Sequence, residues 1–179
     1  ITGKSYRKNN NIKLSDLRYV QVLHYGFDGK VKEGELIVNK KIAKKTVKVF
    51  YALYQKRYRI ERMRLIDDYG ANDEKSMAAN NTSAFNYRVI SGTTKLSNHS
   101  YGMAIDINPR INPWVKGTKV SPANGKVYKQ RKTSKCKGKY KRYMIHKNDT
   151  AYKIFKKYGF SWGGEWRSSK DYQHFEVNK

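Results

Sequence analysis

The sequence holds a single cysteine, Cys136, among its 179 residues. One thiol excludes an internal disulfide framework and any cysteine-rich zinc cluster. Long apolar segments are missing too, since no run approaches the roughly 20 residues that a membrane-spanning helix needs. Acidic residues are scarce, with 14 Asp and Glu against 39 Lys and Arg, which leaves a net charge of +25. This imbalance does not determine a fold, but it predicts a partner that carries negative charge.

The residues that are present are sufficient for one folded domain. The length is typical of a single domain, and 15 tyrosines with three tryptophans are too many for a disordered chain. The basic residues concentrate in the two flanks, because residues 65–114 contain only Lys75, Arg88, Lys95 and Arg110. Nucleic acid and the anionic polymers of a bacterial wall are the candidate partners, and the nearly neutral middle segment makes nucleic acid the less favoured of the two.

Residue patterns predict an α+β domain with a mostly antiparallel sheet and flanking helices. The predicted strands are residues 19–25, 35–38, 62–67, 85–90, 102–108 and 173–177. The predicted helices are residues 40–58, capped by Asn39, and a short segment that Asp149 caps and that ends near Tyr158. Residues 68–84 and 109–142 are predicted as a long polar loop and a solvated basic arm. Residues 1–18 are predicted as a basic N-terminal extension, loose over 1–13, before a main domain at 19–179.

Three titratable side chains are predicted to meet on one face of the sheet. His99 comes just before the 102–108 strand, and Asp106 lies on the polar side of that strand. His174 belongs to the 173–177 strand, in which successive side chains point to opposite faces of the sheet. It therefore shares a face with Glu176, whereas the apolar Phe175 and Val177 lie on the other face. If the two strands pair, these side chains converge on one cavity. Two imidazoles and one carboxylate are a common ligand set for catalytic Zn(II), which leaves a fourth position open for water.

These residues stand in two short motifs that resemble those of a known family. The segment "SNHSYGMAID" has the pattern S-x-H-x-x-G-x-A-x-D, and "DYQHFE" has the pattern [DE]-x-x-H. Together they resemble the zinc D-alanyl-D-alanine carboxypeptidases of the vancomycin-resistance type. That superfamily also contains the L-alanyl-D-glutamate endopeptidases of cell-wall hydrolases and phage endolysins. The similarity extends over roughly residues 19–177.

The resemblance implies a fold, a cofactor and a set of roles. The fold would be that of the hedgehog and D,D-peptidase group, with 19–179 as the zinc peptidase domain. One catalytic Zn(II) would be bound by His99, Asp106 and His174. Asp171 would be the general base that deprotonates a metal-activated water, and Arg88 would face the scissile carbonyl. Glu165 is a second candidate for the base.

The substrate implied by the resemblance is the stem peptide of peptidoglycan. Ser97, Tyr101 and Trp166 lie near the site motifs in the sequence and are candidate substrate contacts. We expect a bacterial or phage-encoded protein that acts outside the cell or in the wall. The first residue is Ile1, so the sequence is expected to be a fragment or a processed chain without its signal or anchor.

Two alternatives remain open from the sequence. The enzyme could remove a terminal D-Ala, or it could cut the internal bond between L-Ala and D-Glu. An alternative of another class is a non-catalytic zinc-containing module that binds anionic wall polymer or nucleic acid. Asp171 distinguishes the classes, because a hydrolase needs it as a base whereas a structural zinc site does not.

Overall fold

The computed structural model describes residues 1–178 and folds them into an α+β domain. The α-helices are α1 (Lys40–Gln55), α2 (Asp73–Ala78) and α3 (Thr150–Lys157). The strands are β1 (Leu17–Tyr25), β2 (Val31–Asn39), β3 (Arg62–Met63), β4 (Asn81–Thr82), β5 (Ala104–Asp106), β6 (Trp114–Lys116), β7 (Lys119–Ser121), β8 (Ser161–Trp162), β9 (Lys170–Asp171) and β10 (His174–Glu176). Short 3-10 helices cover Leu14–Asp16, Ile66–Tyr69, Asn98–Tyr101, Ala123–Lys129, Lys141–Tyr143 and Gly163–Glu165. Among residues 1–178, no helix combines the length and the apolar character that crossing a membrane requires.

The first half of the fold is a long hairpin followed by α1. β1 and β2 pair antiparallel over their whole length. The side chain of Asn39, the last residue of β2, accepts a hydrogen bond from the Lys41 amide at 3.0 Å and so caps α1, as predicted. Apolar residues recur along α1 at helical spacing, and Ile42, Val49, Phe50 and Leu53 are buried in the main core.

A three-stranded antiparallel sheet, in the order β5-β10-β8, separates the helices from the polar site. Side chains alternate between its two faces. Phe175 of β10 is fully buried and stacks on Phe155 of α3 with 4.0 Å between ring centroids. Phe155 also meets Phe50 of α1 edge to face at 6.4 Å, so α1 and α3 share one apolar core with this face of the sheet. The side chains of His174 and Asp106 lie on the opposite face of the sheet and point away from the helices.

Several strands are shorter than the sequence predicts, and the strands form four small sheets rather than one. The predicted 102–108 strand is limited to β5, because Asn108 adopts a left-handed backbone (φ 45°) and uses its side chain to bind the Arg59 carbonyl and the Glu61 amide. The 35–38 strand is part of the longer β2, whereas the 62–67 strand is reduced to β3. β3 pairs with β4 in parallel, unlike the other pairs.

Two predicted segments have different structures from those expected. Residues 85–90 form no strand beyond one bridge from Val89 to Leu96, because the Arg88 backbone pairs instead with the Ser100 hydroxyl. The polar loop at 68–84 contains α2 and β4. Asn72 caps α2 by accepting a hydrogen bond from the Lys75 amide at 2.9 Å.

Most lysines of the basic arm are exposed, as predicted, but the segment is folded and has a core of its own. It contains the β6–β7 hairpin and a small core formed by Ile111, Tyr128, Cys136 and Met144. The Arg131 guanidinium donates to four acceptors of this region and lies 4.2 Å from the Tyr172 ring centroid. The apolar residues of the arm are separated by lysines in the sequence and come together only in three dimensions, which is why sequence patterns miss this core.

The N-terminal residues are also packed rather than loose. The Ser5 hydroxyl donates to the Asp67 carboxylate at 2.7 Å, and its amide donates to the same group at 3.2 Å. Ile12 is buried in a second apolar cluster, and Tyr6 stacks on Phe85 with 6.2 Å between ring centroids. Buried hydrogen bonds and apolar contacts therefore hold this segment on the body of the protein.

Candidate metal centre

His99 is positioned by a short 3-10 helix that precedes β5. Ser97 caps this helix, since its hydroxyl accepts a hydrogen bond from the His99 amide at 3.3 Å. Gly102 ends it with a left-handed backbone (φ 66°), and a Cβ at this position would lie 2.6 Å from the Asn39 amide nitrogen. Only glycine allows both this backbone and this approach to β2. The motif glycine therefore fixes the direction in which His99 enters the site.

Asp106 and His174 are positioned by the pairing of β5 with β10. The antiparallel register places the two residues directly opposite each other. His174 Nδ1 lies 3.0 Å from Asp106 Oδ1, His99 Nε2 lies 3.2 Å from Asp106 Oδ2, and the two ring nitrogens are 3.2 Å apart. All three side chains are buried. The structure thus brings together the three residues that strand pairing was predicted to unite.

The outer nitrogens of both rings are already engaged as hydrogen-bond donors. His99 Nδ1 lies 2.6 Å from the Ala84 carbonyl oxygen, which can only accept, so this nitrogen carries the hydrogen. His174 Nε2 lies 3.0 Å from the Glu176 carboxylate, which Asn98 holds through a 2.5 Å hydrogen bond. In neutral rings, His99 Nε2 and His174 Nδ1 then present lone pairs to one another and to Asp106. This pattern of outer hydrogen bonds is typical of metal-bound histidines.

The electrostatics of the cluster favour a positive charge between its three side chains. Burial alone would lower the pKa of His174, but the hydrogen bonds to Asp106 and Glu176 outweigh it and raise the pKa to about 10. Burial would raise the pKa of Asp106, but the two imidazoles hold it far below its usual value. In the metal-free protein, a proton on His174 supplies this positive charge. A metal ion bound between the three side chains would supply it instead.

The donor set fits a zinc ion. Tetrahedral zinc ligands at about 2.0–2.1 Å from the metal stand about 3.3 Å apart. The two inward nitrogens, His99 Nε2 and His174 Nδ1, are 3.2 Å apart, and each lies 3.0–3.2 Å from a different oxygen of the Asp106 carboxylate. Two nitrogens and one carboxylate are the ligand types that zinc binds in hydrolases, with one position left open. These residues could therefore hold a metal ion.

Asp171, the predicted base, is half-buried and lies next to this cluster, because both Asp171 and His174 pack against Gly163. It belongs to β9, where it pairs with Trp114 of β6. Its Oδ1 is buried without a hydrogen-bond partner among residues 1–178. Burial raises the pKa of Asp171 to about 7, with His174 opposing and Asp106 adding to the shift. Gly163 permits this packing, because a Cβ there would lie 2.8 Å from the Asp171 Cβ.

Arg88 lies near the cluster and forms an ion pair that the sequence did not indicate. Its Nη2 is 2.7 Å from the carboxylate of Asp73, the first residue of α2. The Arg88 Nε is buried without a hydrogen-bond partner in the described chain. Burial raises the pKa of Asp73 while Arg88 opposes the shift, and the charges of His99 and Asp106 also act on it. The guanidinium is thus held in place by a carboxylate and keeps one donor free.

The remaining candidate residues occupy different environments. Ser97 is buried, and its hydroxyl serves as the helix cap. The Tyr101 carbonyl accepts a hydrogen bond from Asn39, and its side chain packs partly buried against the main core. The Trp166 ring lies 5.3 Å from the His174 ring and is partly exposed. Glu165 instead pairs with Lys147 and Lys156 on the α3 side and does not join the cluster.

Four further residues contribute hydrogen bonds or an ion pair to the site and are not marked by any predicted motif. These are Asp73, Ala84, Asn98 and Glu176. Glu176 alone had a usable signal, because its parity with His174 places both side chains on one face of β10. Asp73 and Ala84 are distant in the sequence from the groups they serve, and only the folded chain connects them.

Comparison with protein families adds an independent observation. Residues 91–177 match the model of a family described as D-alanyl-D-alanine carboxypeptidase. The matched segment is just under half of the chain, and it contains Asp171 together with the three clustered residues. It indicates a hydrolase of the metallopeptidase class. Neither the curated proteins nor the solved structures gave a match.

Proposed function

We propose that the protein is a zinc-dependent peptidase that removes the terminal D-Ala from peptidoglycan stem peptides. The observation that carries this proposal is the meeting of His99 Nε2, His174 Nδ1 and the Asp106 carboxylate within 3.2 Å, beside Asp171, whose Oδ1 is buried. The family match at residues 91–177 supports the choice of substrate. A substrate of this kind would place the protein outside the cell or in the wall, on a fold of the D,D-peptidase type.

His99, Asp106 and His174 would hold the ion through their inward atoms. A zinc ion bound there supplies Lewis acidity and lowers the pKa of water at its open position towards 7. The protein's own part is to keep the ligands rigid. Ala84 and Glu176 do this, because each fixes one imidazole in the tautomer that directs a lone pair inward.

Asp171 would move the proton during hydrolysis. A general base works best when its pKa lies near the working pH, and in the metal-free protein burial raises the pKa of Asp171 to about 7. Its Oδ1 has no protein partner among residues 1–178, so it can accept a hydrogen bond from water and later donate the proton to the leaving amine.

Arg88 would stabilise negative charge on the carbonyl oxygen of the scissile bond. The ion pair with Asp73 fixes the guanidinium through Nη2 and leaves the buried Nε without a partner in the described chain. A donor that is already oriented loses little freedom when charge develops on the substrate, which is the physical basis of its effect. Trp166, which is partly exposed beside His174, would contact the substrate, with Ser97 and Tyr101 shaping the site from the 97–101 segment.

The experiment is a product analysis on a synthetic stem pentapeptide, L-Ala–γ-D-Glu–L-Lys–D-Ala–D-Ala, with metal-stripped protein to which zinc is restored. We expect release of free D-Ala after zinc addition and none with chelator. Release of L-Ala would instead assign the L-Ala–D-Glu endopeptidase specificity. Absence of any cleavage by the zinc-loaded protein would contradict a peptidase function and favour the non-catalytic zinc module.

A further inference from the structure

α1 and α3 turn their lysines to the solvent on one side of the molecule. On α1 these are Lys41, Lys44, Lys45 and Lys48, and on α3 they are Lys153, Lys156 and Lys157; together they are called the lysine face, and all are exposed. Their spacing of three, four and seven residues puts each group on a single helical face. The two groups are neighbours, because Phe50 contacts Phe155 beneath them and Lys45 reaches Gly159, just beyond α3.

The charges of the lysine face are largely uncompensated. α1 contains no acidic residue. Within residues 1–178, the one ion pair of this face joins Lys156 to Glu165 at 3.5 Å. Like charges four residues apart destabilise a helix, and Lys41 with Lys45 and Lys44 with Lys48 are such pairs. A bound polyanion would remove this repulsion and release the counterions that the lysines otherwise gather.

The lysine face lies on the opposite side of the β5-β10-β8 sheet from the metal centre. Phe175 of β10 packs under α3, whereas His174, the preceding residue, faces the other way. A long ligand could therefore rest on the helices without reaching the metal centre. The folded basic arm differs in this respect, since its strand β6 pairs with β9, which carries Asp171.

We propose that the lysine face binds a linear phosphate polymer of the bacterial wall, of the poly(glycerol phosphate) type. The choice of a wall polymer rests on the proposed function, because an enzyme acting on peptidoglycan meets such polymers beside its substrate. The chemistry agrees with it: lysine ammonium groups bind phosphates as point charges, and the face has no arginine or amide side chain that could recognise a base edge. Lysines one helical turn apart suit a flexible chain with one phosphate per repeat.

The test compares two triple variants that lose the same net charge. Lys44→Gln with Lys45→Gln and Lys48→Gln alters the lysine face, whereas Lys126→Gln with Lys129→Gln and Lys132→Gln alters exposed lysines of the basic arm. Binding of fluorescently labelled poly(glycerol phosphate) is measured in chelator at increasing salt, after circular dichroism shows both variants folded. We expect about a tenfold loss of affinity at low salt for the first variant and at most about a twofold loss for the second.

Equal losses in the two variants would overturn the proposal, because they would show a response to net charge alone. Tighter binding of duplex DNA than of the polymer, at equal phosphate concentration, would also overturn it and favour nucleic acid as the partner. Hydrolysis of the soluble pentapeptide is measured in parallel and should be unchanged in both variants. Polymer binding through the lysine face without pentapeptide cleavage would support this surface while contradicting the proposed peptidase function.

Discussion

His174 lies directly across from Asp106 in the antiparallel pairing of β10 with β5, and His174 Nδ1 is 3.0 Å from the aspartate Oδ1. The contact depends on strand register, because a slip of one residue would turn one of the side chains into the core. Phe175 and Ile105, the next pair in register, are fully buried and stabilise this alignment. The packing of the core thus sets the geometry of the metal centre.

Replacing Glu176 tests the outer hydrogen bonds of the centre. Glu176→Ala removes the acceptor of His174 Nε2, which frees the ring to rotate and to change tautomer. We expect zinc affinity to fall by about 10–100-fold, measured by competition with a chromophoric chelator. Glu165→Gln is the matched control, because this carboxylate pairs with lysines on the α3 side, and its affinity should equal that of the wild type. Equal affinities in Glu176→Ala and wild type would show that His174 needs no such support.

Asp171→Asn separates catalysis from metal binding. The asparagine keeps the shape of the side chain but cannot accept a proton from water. We expect hydrolysis of the pentapeptide to fall by about 10²–10⁴-fold, with one zinc ion per chain still bound. Asp68→Asn, at an exposed carboxylate, should keep full activity. If Asp171→Asn lost its zinc instead, Asp171 would have to be counted among the groups that hold the metal.

The same residue makes the stability of the metal-free protein depend on pH. Burial raises the pKa of Asp171 from an ordinary value near 3.8 to about 7, so the folded state keeps a proton that the unfolded state loses. The free energy of unfolding therefore falls as pH rises from about 4 to about 7. The amide introduced by Asp171→Asn resembles the protonated carboxyl group and does not titrate. The free energy of unfolding of this variant should therefore exceed that of the wild type by an amount that grows between about pH 4 and about pH 7. Above about pH 7 the difference should stay constant. Urea denaturation in chelator measures the difference, and a difference independent of pH would contradict the assignment.

Gly102 is expected to be the most sensitive glycine of the site. Gly102→Ala combines a left-handed backbone with a Cβ 2.6 Å from the Asn39 amide nitrogen. Gly92→Ala is the matched control, because Gly92 also has positive φ (75°) but a Cβ added there would meet no heavy atom within 4 Å. We expect the control to lose about 1–2 kcal/mol from backbone strain alone. Gly102→Ala should lose clearly more, measured as the free energy of unfolding, and zinc binding should weaken because His99 shifts. Equal losses would show that β2 yields to the new methyl group.

The sequence allowed the central part of the site to be predicted, because it depends on local rules. Alternation along a strand assigned Asp106 and His174 to one face, and capping residues located the starts of α1 and α3. The rest depends on contacts between distant segments. The 2.6 Å bond from His99 to the Ala84 carbonyl involves a backbone atom that any residue would supply, so no sequence pattern marks it. The core of the basic arm likewise arises from apolar residues that are isolated in the sequence.

The coupling between Arg88 and Asp73 can be measured by a double-mutant cycle. Arg88→Ala should lower kcat for the pentapeptide by about 10²–10³-fold, as expected for loss of a donor to developing negative charge. Asp73→Asn breaks the 2.7 Å ion pair and lets the guanidinium move, so kcat should fall by a smaller factor. Because Asp73 acts through Arg88, adding Asp73→Asn to Arg88→Ala should cause almost no further loss. Asp67→Asn is the control, because the Asp67 carboxylate binds Ser5 and not Arg88. It should leave kcat nearly unchanged, both in the wild type and in Arg88→Ala. If kcat of the double variant fell by the product of the two single losses, Asp73 would contribute to catalysis independently of Arg88.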